Sequence, residues 1–438
     1  MSTTPNTMRS VQQLLVTLFL VTGFTAIAYG QAIVLTQSNE SGIYQKGENI
    51  QVSVLLKDAV ADSLSVKILK NYRDEVSNQT IAYSGKQLVL FDETVSEPTS
   101  LIFEVQAQDA SASLGLVVDP EHFEPGTRRP KDLTRYWENE KKALRALSMD
   151  VKTVPVTDIE QGYVCSDVEI NCTGPQPARG YFAKPEGAKS SSLPIVLFVH
   201  AAGVKGSWCL AQPENALRYA TMGKGALAFD LNAHGMLNGQ PQEYYDNLEQ
   251  GELKNYATQG VESKNDFYFR GMYLRLLRTL DFLTSQPEWD GKRILVIGES
   301  QGGGQALAAA GLDPRVTAAV ATVPAMCDWG GVFVGRTSGW PKPFNSPNDE
   351  EKMLETLPYF DAAHLLKNSK ATLVTEIGFI DTTCPSTAVY AAINQAKGKK
   401  IVFGVPYRGH HLDQKEYQET WENTVLKPKL AFIADFLK

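Results

Sequence analysis

The sequence predicts an α/β protein, with a mostly parallel sheet covered by helices on both faces and preceded by a small β-sandwich. From residue 132 onward, short apolar runs rich in Val, Ile, Leu and Phe alternate with helical patterns, as expected of strands buried on both faces. Before residue 120, short alternating segments recur at near-regular spacing with turn residues between them, which is typical of a sandwich. A length of 438 residues favours two domains.

We therefore expect an immunoglobulin-like β-sandwich over residues 31–120, a linker rich in Pro, Gly and Arg over residues 121–131, and an α/β domain over residues 132–438. The strands expected in the sandwich are residues 51–56, 64–69, 87–91, 101–105 and 114–118. The strands expected in the larger sheet are residues 195–199, 226–229, 294–297, 318–323, 373–377 and 401–405.

Four helices follow from apolar spacing and from start signals. Asp132 is expected to cap the first helix, which carries Trp137 and Leu144 on its apolar face. Two more are expected over residues 273–283 and 301–311. The last begins near Pro428, with one face formed by Leu430, Ile433, Ala434 and Leu437.

The N-terminus has the pattern of a secretory signal peptide over residues 1–30. Arg9 precedes an uncharged apolar run at residues 14–28, and small residues follow at Ala26, Ala28 and Gly30. A membrane anchor is the alternative, but the run is short for a bilayer span. We expect cleavage between Gly30 and Gln31 and a periplasmic or extracellular protein.

The net charge and the cysteine content limit the binding partners, disulfides and metal sites that can be expected. The net charge is -7 and there is no Lys/Arg-rich block, which argues against nucleic acid and anionic membrane surfaces. Five cysteines leave at least one thiol unpaired, although Cys165 and Cys172 are close enough in sequence to bridge. No CxxC motif or His-spaced pair indicates a metal, so no metal or cofactor is expected.

The clearest chemical signal is Gly-Glu-Ser-Gln-Gly at residues 298–302, which fits G-x-S-x-G. It follows an expected strand and precedes a helix of small residues. In the α/β-hydrolase fold, this turn exposes a nucleophilic Ser above the sheet, and the helix N-terminus favours developing negative charge. We therefore expect that fold, with Ser300 as the nucleophile.

The partners of such a serine follow it in the order acid, then base. His410 and His411 are the histidines late enough in the chain, and Gly409 favours His410. Asp381 follows the expected strand 373–377 and is the favoured acid, with Glu376 and Asp361 as rivals.

Two backbone N–H groups are needed to hold the oxyanion. One is expected from Gln301, directly after the nucleophile, and the other from Ala202 in the loop after strand 195–199. His200, at the start of that loop, is expected to be structural.

With these residues in place, the chain resembles the acetyl xylan esterase / cephalosporin C deacetylase family, carbohydrate esterase family seven. The resemblance covers residues 129–438 and lies in motifs of specific spacing. These are Arg-Pro-Lys-Asp at 129–132 with Tyr136 and Trp137, Ser-Gln-Gly-Gly at 300–303, Leu-Asp-Pro-Arg-Val at 312–316, Val-Pro-Ala-Met-Cys-Asp at 323–328, Thr-Leu-Pro-Tyr-Phe-Asp at 356–361, and Gly-Phe-Ile-Asp at 378–381 with Cys384 and Pro385.

The resemblance implies removal of acetyl groups from xylan, xylo-oligosaccharides or similar small molecules by Ser300, Asp381 and His410. It departs at the family's His-Gly-Tyr motif, where Ala201 and Ala202 replace Gly and Tyr, and at His411, where members often have Glu. These departures concern substrate size and acyl preference. The resemblance also leaves a closed homo-oligomer as one candidate assembly.

Other functions stay open at this point. A broad carboxylesterase or a peptidase would use the same fold, and the β-sandwich could itself be a carbohydrate-binding or docking module. A structural role for the sandwich is favoured, because no exposed aromatic platform is evident in it. Trp208, Trp329 and Phe333 are candidates to line the pocket, although core packing is expected of any one of them.

Overall fold

The computed structural model describes residues 32–57 and 61–438. The expected signal peptide lies outside these residues. Eight strands form the N-terminal part, called here the front β-sandwich: β1 Ala32–Gln37, β2 Ile43–Tyr44, β3 Asn49–Lys57, β4 Ser63–Lys70, β5 Asp74–Ala82, β6 Leu88–Thr94, β7 Thr99–Ala107 and β8 Ala110–Val118. They form one sheet of order β1-β3-β6 and a second of order β2-β8-β7-β4-β5.

The front β-sandwich contains all five strands that the sequence predicts, together with β1, β2 and β5. Strand β5 reads DEVSNQTIA and is exposed along most of its length. It lies at the edge of its sheet and pairs with β4 alone, so no buried face imposes an alternating pattern on its sequence. The two sheets enclose their own core, which includes Tyr44, Val54, Phe103 and Leu116.

The second part of the chain is built on a nine-stranded sheet. Its strands are β9 Lys152–Pro155, β10 Tyr163–Ile170, β11 Ala178–Pro185, β12 Leu193–Val199, β13 Leu227–Asn232, β14 Trp289–Glu299, β15 Ala318–Thr322, β16 Thr372–Gly378 and β17 Lys400–Val405. The order is β17-β16-β15-β14-β12-β13-β11-β10-β9. Strands β12 to β17 pair in parallel, and β9 to β11 are antiparallel additions at one edge. The predicted α/β-hydrolase fold, including all six predicted strands, is confirmed.

Helices cover this sheet on both faces: α1 Leu133–Ala146, α2 Pro213–Ala220, α3 Gln242–Gln250, α4 Tyr268–Thr284, α5 Gln301–Leu312, α6 Glu350–Thr356, α7 Ala362–Leu365, α8 Ser386–Ile393, α9 Gln418–Trp421 and α10 Lys427–Phe436. Strand β12 shows the two layers. Ile195 and Leu197 join the core formed with α4, α5 and α8, whereas Val196 joins the core formed with α2 and α10. A strand packed on both faces explains the continuous apolar run in its sequence.

Two details of the predicted helices are wrong. Asp132 occupies the position before α1, but its side chain makes no capping hydrogen bond and instead accepts one from the Tyr359 hydroxyl. Helix α10 does have Pro428 in its first turn, yet Leu430 is 48% exposed while Ile433 and Leu437 are buried. The apolar face of α10 is therefore narrower than the sequence suggests.

All five cysteines are free and buried. Cys165 packs in the core layer with α2 and α10, and Cys172 packs in the layer with α1 and α4. A bridge between Cys165 and Cys172 is excluded in this structure, because their side chains lie in different layers. Among the described residues, no helix combines the length and apolar character needed to cross a bilayer.

The register of the parallel strands brings the predicted site residues to one edge. Gly298 at the end of β14 lies opposite Val199 at the end of β12, and Gly378 at the end of β16 lies opposite Val405 at the end of β17. The loops that carry residues 200–203, 300, 381 and 410 therefore all leave the sheet at the carboxyl ends of its strands.

Candidate active site

Ser300 lies on a tight turn between β14 and α5. Its backbone φ is +55°, a positive value that is uncommon for a residue with a side chain. Its N–H donates to the carbonyl of Thr322 at 2.9 Å. A Cβ on Gly302 would lie 2.3 Å from the carbonyl oxygen of Val199, and one on Gly298 would lie 2.4 Å from the Gly302 backbone. The two glycines are thus required by close backbone approach.

The structure brings Ser300, His410 and Asp381 together in one hydrogen-bonded series. Nε2 of His410 lies 3.0 Å from Oγ of Ser300, and its Nδ1 lies 2.9 Å from Oδ2 of Asp381. Oδ1 of Asp381 accepts the N–H groups of Thr383 and Cys384, both at 2.8 Å. A carboxylate at Nδ1 favours the tautomer with hydrogen on Nδ1, which leaves Nε2 free to accept the serine proton.

The rival residues occupy other positions. The exposed ring of His411 lies 5.3 Å from that of His410, centroid to centroid, on the wall of the cleft. Glu376 is fully buried within β16 and contacts Arg408 and Lys429. Neither of these side chains is hydrogen-bonded to His410 among the contacts of the described residues.

Asp361, the other rival acid, belongs to a buried structural cluster. Its carboxylate accepts backbone N–H groups from Asp328 at 2.9 Å, Trp329 at 2.7 Å and Ala363 at 2.9 Å. Burial, with the nearby charge of Asp328, raises its pKa to about 7. Asp361 therefore caps α7 and orders the chain after β15, away from the serine.

The loop after β12 carries Ala202 beside the nucleophile. The carbonyl of Ala202 accepts the indole N–H of Trp208 at 2.9 Å, and the carbonyl of Gly203 lies 2.9 Å from Nε2 of His234. His200 is buried, with Nε2 against Asp230 and Nδ1 3.2 Å from the Trp208 carbonyl. His200 thus ties this loop to β13, in line with the structural role expected of it.

His234 is a buried support of the same loop. Burial lowers the pKa of its imidazole to about 3, so the ring is neutral at ordinary pH. Its Nδ1 lies 2.6 Å from the Tyr268 hydroxyl, which donates, and Nε2–H donates to Gly203. No sequence motif marks His234, and its role depends on contacts between β13, α4 and the loop.

Tyr256 is a further residue that sequence reasoning missed. Its hydroxyl donates to Oε1 of Gln301 at 2.6 Å, and its ring lies 4.5 Å from that of His234. It begins a short 3-10 turn, Tyr256–Thr258, between α3 and α4, where neither periodicity nor a motif indicates a site. Tyr256 therefore fixes the side chain of Gln301, and the backbone N–H of Gln301 is the first expected oxyanion donor.

These groups open into a cleft of about 480 Å³. Trp208 stands at its mouth with 65% of its surface exposed, whereas Trp329 is buried in the core and Phe333 lies outside the lining. The lining residues are Ala201, Ala202, Trp208, Glu299, Ser300, Trp340, Thr383, His410 and His411. The small side chain of Ala202 leaves the wall beside Ser300 open.

Within the described part of the chain, one group has ligand atoms spaced for a metal ion: Asp381, Cys384 and His410, whose atoms lie within 4.8 Å of one another. Nδ1 of His410 already faces the Asp381 carboxylate. Burial raises the pKa of the Cys384 thiol well above its usual value.

Comparisons with known proteins give the family of the chain. A family model described as acetyl xylan esterase (AXE1) matches residues 117–427. The acetyl esterase Axe7A of Xylanibacter ruminicola is 29% identical over 296 residues, which span 66% of this chain and 66% of that protein. The chain thus matches about two thirds of the length of that relative.

Two solved structures share the fold. The acetyl xylan esterase from Paenibacillus sp. R4 superposes with a TM-score of 0.58 at 27% identity, covering 73% of this chain and 98% of that one. Acetyl Xylan Esterase 1 from Thermoanaerobacterium sp. JW/SL YS485 gives 0.57 at 19% identity over the same shares, a likeness of fold. The chain belongs to the acetyl xylan esterase family, whose members are carboxylic ester hydrolases.

Proposed function

We propose that this protein removes acetyl groups from acetylated xylan, xylo-oligosaccharides or similar small carbohydrates, with Ser300 as nucleophile, His410 as base and Asp381 as its orienting acid. The observation that carries the proposal is the hydrogen-bonded series from Ser300 through His410 to Asp381 in a chain of this family. The family relatives named above are themselves an acetyl esterase and acetyl xylan esterases.

The proposed chemistry is acyl transfer through a covalent intermediate. His410 takes the proton of Ser300 as the hydroxyl attacks the acetyl carbonyl, and the backbone N–H groups of Gln301 and Ala202 hold the oxyanion. The same imidazole then protonates the departing sugar oxygen, which leaves an acetyl-enzyme. A water molecule activated by His410 releases acetate and restores Ser300.

The cleft supports a small acyl group on a sugar. Apolar rings of Trp208 and Trp340 stand beside Ser300, and aromatic faces pack against the C–H faces of sugar rings while their edges stay hydrated. The wall at Ala202 lacks the tyrosine of the family motif, so acyl groups somewhat larger than acetyl are expected to fit as well. The range of acyl groups that the protein hydrolyses is therefore expected to extend beyond acetyl.

The test is acetate release by the full chain from acetylated xylo-oligosaccharides. Ser300→Ala is expected to abolish it, and Ser338→Ala is the matched control. Ser338 is also buried, and among the described residues its hydroxyl has no hydrogen-bond partner. Activity retained in Ser300→Ala with the fold intact would refute the proposal. Faster hydrolysis of butyryl esters would indicate a broad carboxylesterase, and cleavage of peptide amides a peptidase.

We propose further that the protein is exported. Support comes from the charged start, the short apolar run and the small residues of the first 30 positions. N-terminal sequencing of protein recovered outside the cytoplasm of an expressing bacterium should begin at Gln31. An intact Met1 on the recovered protein would contradict cleavage.

A further inference from the structure

The front β-sandwich contacts the segment that carries the proposed acid through one tyrosine. Tyr72 lies in the turn between β4 and β5, and its hydroxyl donates to the carbonyl of Phe379 at 2.8 Å. The same oxygen accepts the N–H of Ser386 at 3.1 Å and lies 2.9 Å from its Oγ. Burial raises the pKa of the Tyr72 hydroxyl well above its usual value, so it keeps the proton that it donates.

The two partners of Tyr72 are the two ends of one segment. Phe379 follows the last residue of β16, and Ser386 is the first residue of α8. Between them, residues 380–385 carry Asp381 and the backbone N–H groups that its carboxylate accepts. The Tyr72 hydroxyl is thus hydrogen-bonded to both ends of the segment that carries Asp381.

The turn that presents Tyr72 is held on both sides. Within the front β-sandwich, Oδ1 of Asn71 accepts the N–H of Ser100 at 3.0 Å. On the other side, Thr337 donates its N–H to the carbonyl of Asn71 at 3.2 Å and its hydroxyl to the carbonyl of Tyr72 at 2.9 Å. These contacts fix the backbone at Tyr72 and thereby hold the position of its hydroxyl.

The segment that carries His410 also rests on the front β-sandwich. The N–H of Gly115 in β8 donates to the carbonyl of Pro406 at 2.8 Å, four residues before His410. A Cβ on Gly115 would lie 2.3 Å from the carbonyl oxygen of Phe379, so backbone packs directly on backbone here. Strand β8 therefore touches both segments that carry the proposed acid and base.

We propose that Tyr72 is a positioning residue for the esterase reaction, whose hydroxyl holds segment 379–386 so that Asp381 meets His410. On this view the front β-sandwich is an integral support of the active site, which sets it apart from a separate carbohydrate-binding module. The inference rests on the proposed function, because it assigns Tyr72 a role that acts through Asp381.

The test compares Tyr72→Phe with Tyr83→Phe in the full chain. Tyr83 is a buried tyrosine of the same sandwich whose hydroxyl accepts the N–H of Leu56 at 3.0 Å, remote from segment 379–386. Rates on 4-nitrophenyl acetate are divided by the concentration of active sites, titrated with a 4-nitrophenyl phosphonate that reacts with the nucleophilic serine. For Tyr72→Phe we expect kcat per site to fall about 10- to 100-fold with KM within about twofold, because small misplacement of a reacting group costs that much. For Tyr83→Phe we expect kcat per site to be unchanged.

A double substitution separates positioning from a general loss of structure. In the Asp381→Asn background, Tyr72→Phe should lower kcat by less than about twofold, since the carboxylate it positions is gone. The inference is overturned if Tyr72→Phe has the wild-type kcat per site, or if Tyr83→Phe loses as much kcat per site as Tyr72→Phe does. It is also overturned if Tyr72→Phe lowers kcat in the Asp381→Asn background as much as it does in the wild-type background. A Ser300→Ala variant with full activity would instead overturn the proposed function.

Discussion

Arg408 and Glu376 form a buried ion pair two residues before the proposed base. Nη1 of Arg408 lies 2.5 Å from Oε1 of Glu376, which also accepts the indole N–H of Trp421 at 2.7 Å. The other carboxylate oxygen contacts Nζ of Lys429 in α10. Glu376, fully buried in β16, thus joins the loop that carries His410 to the C-terminal helix.

Glu376→Gln should therefore destabilise the protein strongly. The substitution keeps the shape of the side chain but leaves the buried ammonium of Lys429 without its carboxylate partner. Arg408 then retains only the more exposed carboxylate of Glu299, 3.6 Å away. We expect the free energy of unfolding to fall by about 3–5 kcal/mol, measured by urea unfolding. Glu97→Gln is the control, because Glu97 pairs with Lys70 at the surface and such pairs contribute roughly 0–1 kcal/mol. Equal losses in the two variants would contradict the role given to Glu376.

Asp381→Asn should lower kcat without abolishing reaction of the serine. An amide at this position donates where the carboxylate accepts, so it favours the imidazole tautomer with hydrogen on Nε2, which cannot take the proton of Ser300. We expect kcat on 4-nitrophenyl acetate to fall by roughly 10³–10⁴-fold. Asp413→Asn, at an exposed aspartate three residues after His410, is the control and should keep wild-type kcat. A loss below tenfold in Asp381→Asn would argue against this residue as the acid.

Trp208 should affect sugar substrates more than aryl acetates. Its exposed ring stands at the mouth of the cleft, and its Nε1–H holds the carbonyl of Ala202. Trp208→Phe keeps an aromatic face and loses the N–H, whereas Trp208→Ala loses both. We expect Trp208→Phe to lower kcat a few-fold on every ester. Only Trp208→Ala should also raise KM for acetylated xylo-oligosaccharides, by about 2- to 10-fold. An equal rise in KM for 4-nitrophenyl acetate would show that the ring does not contact the sugar.

The parts of the fold that could be predicted are those with a local signature. Strands β12, β13, β15 and β16 and the second half of β14 are buried on both faces, so each leaves a nearly continuous apolar run in the sequence. The turn at Ser300 requires Gly298 and Gly302 because backbones approach closely there, and the spacing of those glycines is visible without any structure. Chain order then narrows the partners of Ser300 to a few candidates.

What could not be predicted depends on contacts that are remote in sequence. Tyr72 reaches Phe379 across 307 positions, from a polar hairpin turn that resembles any other surface turn. Tyr256 contacts Gln301 from a single 3-10 turn that has no sequence signature. Cys165 and Cys172 are near neighbours in sequence, yet the strand between them sends their side chains to different core layers. Such relationships are set by tertiary packing, which no short sequence pattern encodes.

The stability of the protein should depend on pH through His364. This imidazole is buried against Thr127, whose hydroxyl lies 2.9 Å from its Nε2, and burial, with the nearby charges of Arg129 and Lys367, lowers its pKa to about 4. Its unfolded value is near 6.5, so between these values the unfolded chain binds the proton that the folded protein excludes. The free energy of unfolding therefore decreases as pH falls below 6.5, by up to about 1.4 kcal/mol per pH unit from this group.

His364→Gln removes this titration and keeps an acceptor for Thr127. The free energy of unfolding is measured with urea at pH 7.5, 6.5 and 5.0. The value for wild type minus the value for the variant should decrease by roughly 2 kcal/mol between pH 6.5 and 5.0. The raised pKa of Asp361 acts in the opposite direction over part of this range, but it is common to both proteins and cancels in the difference. His411→Gln, at an exposed position, should run parallel to wild type. If the free energy of unfolding of His364→Gln has the same pH dependence as that of wild type, protonation of the buried imidazole does not contribute to the pH dependence of stability.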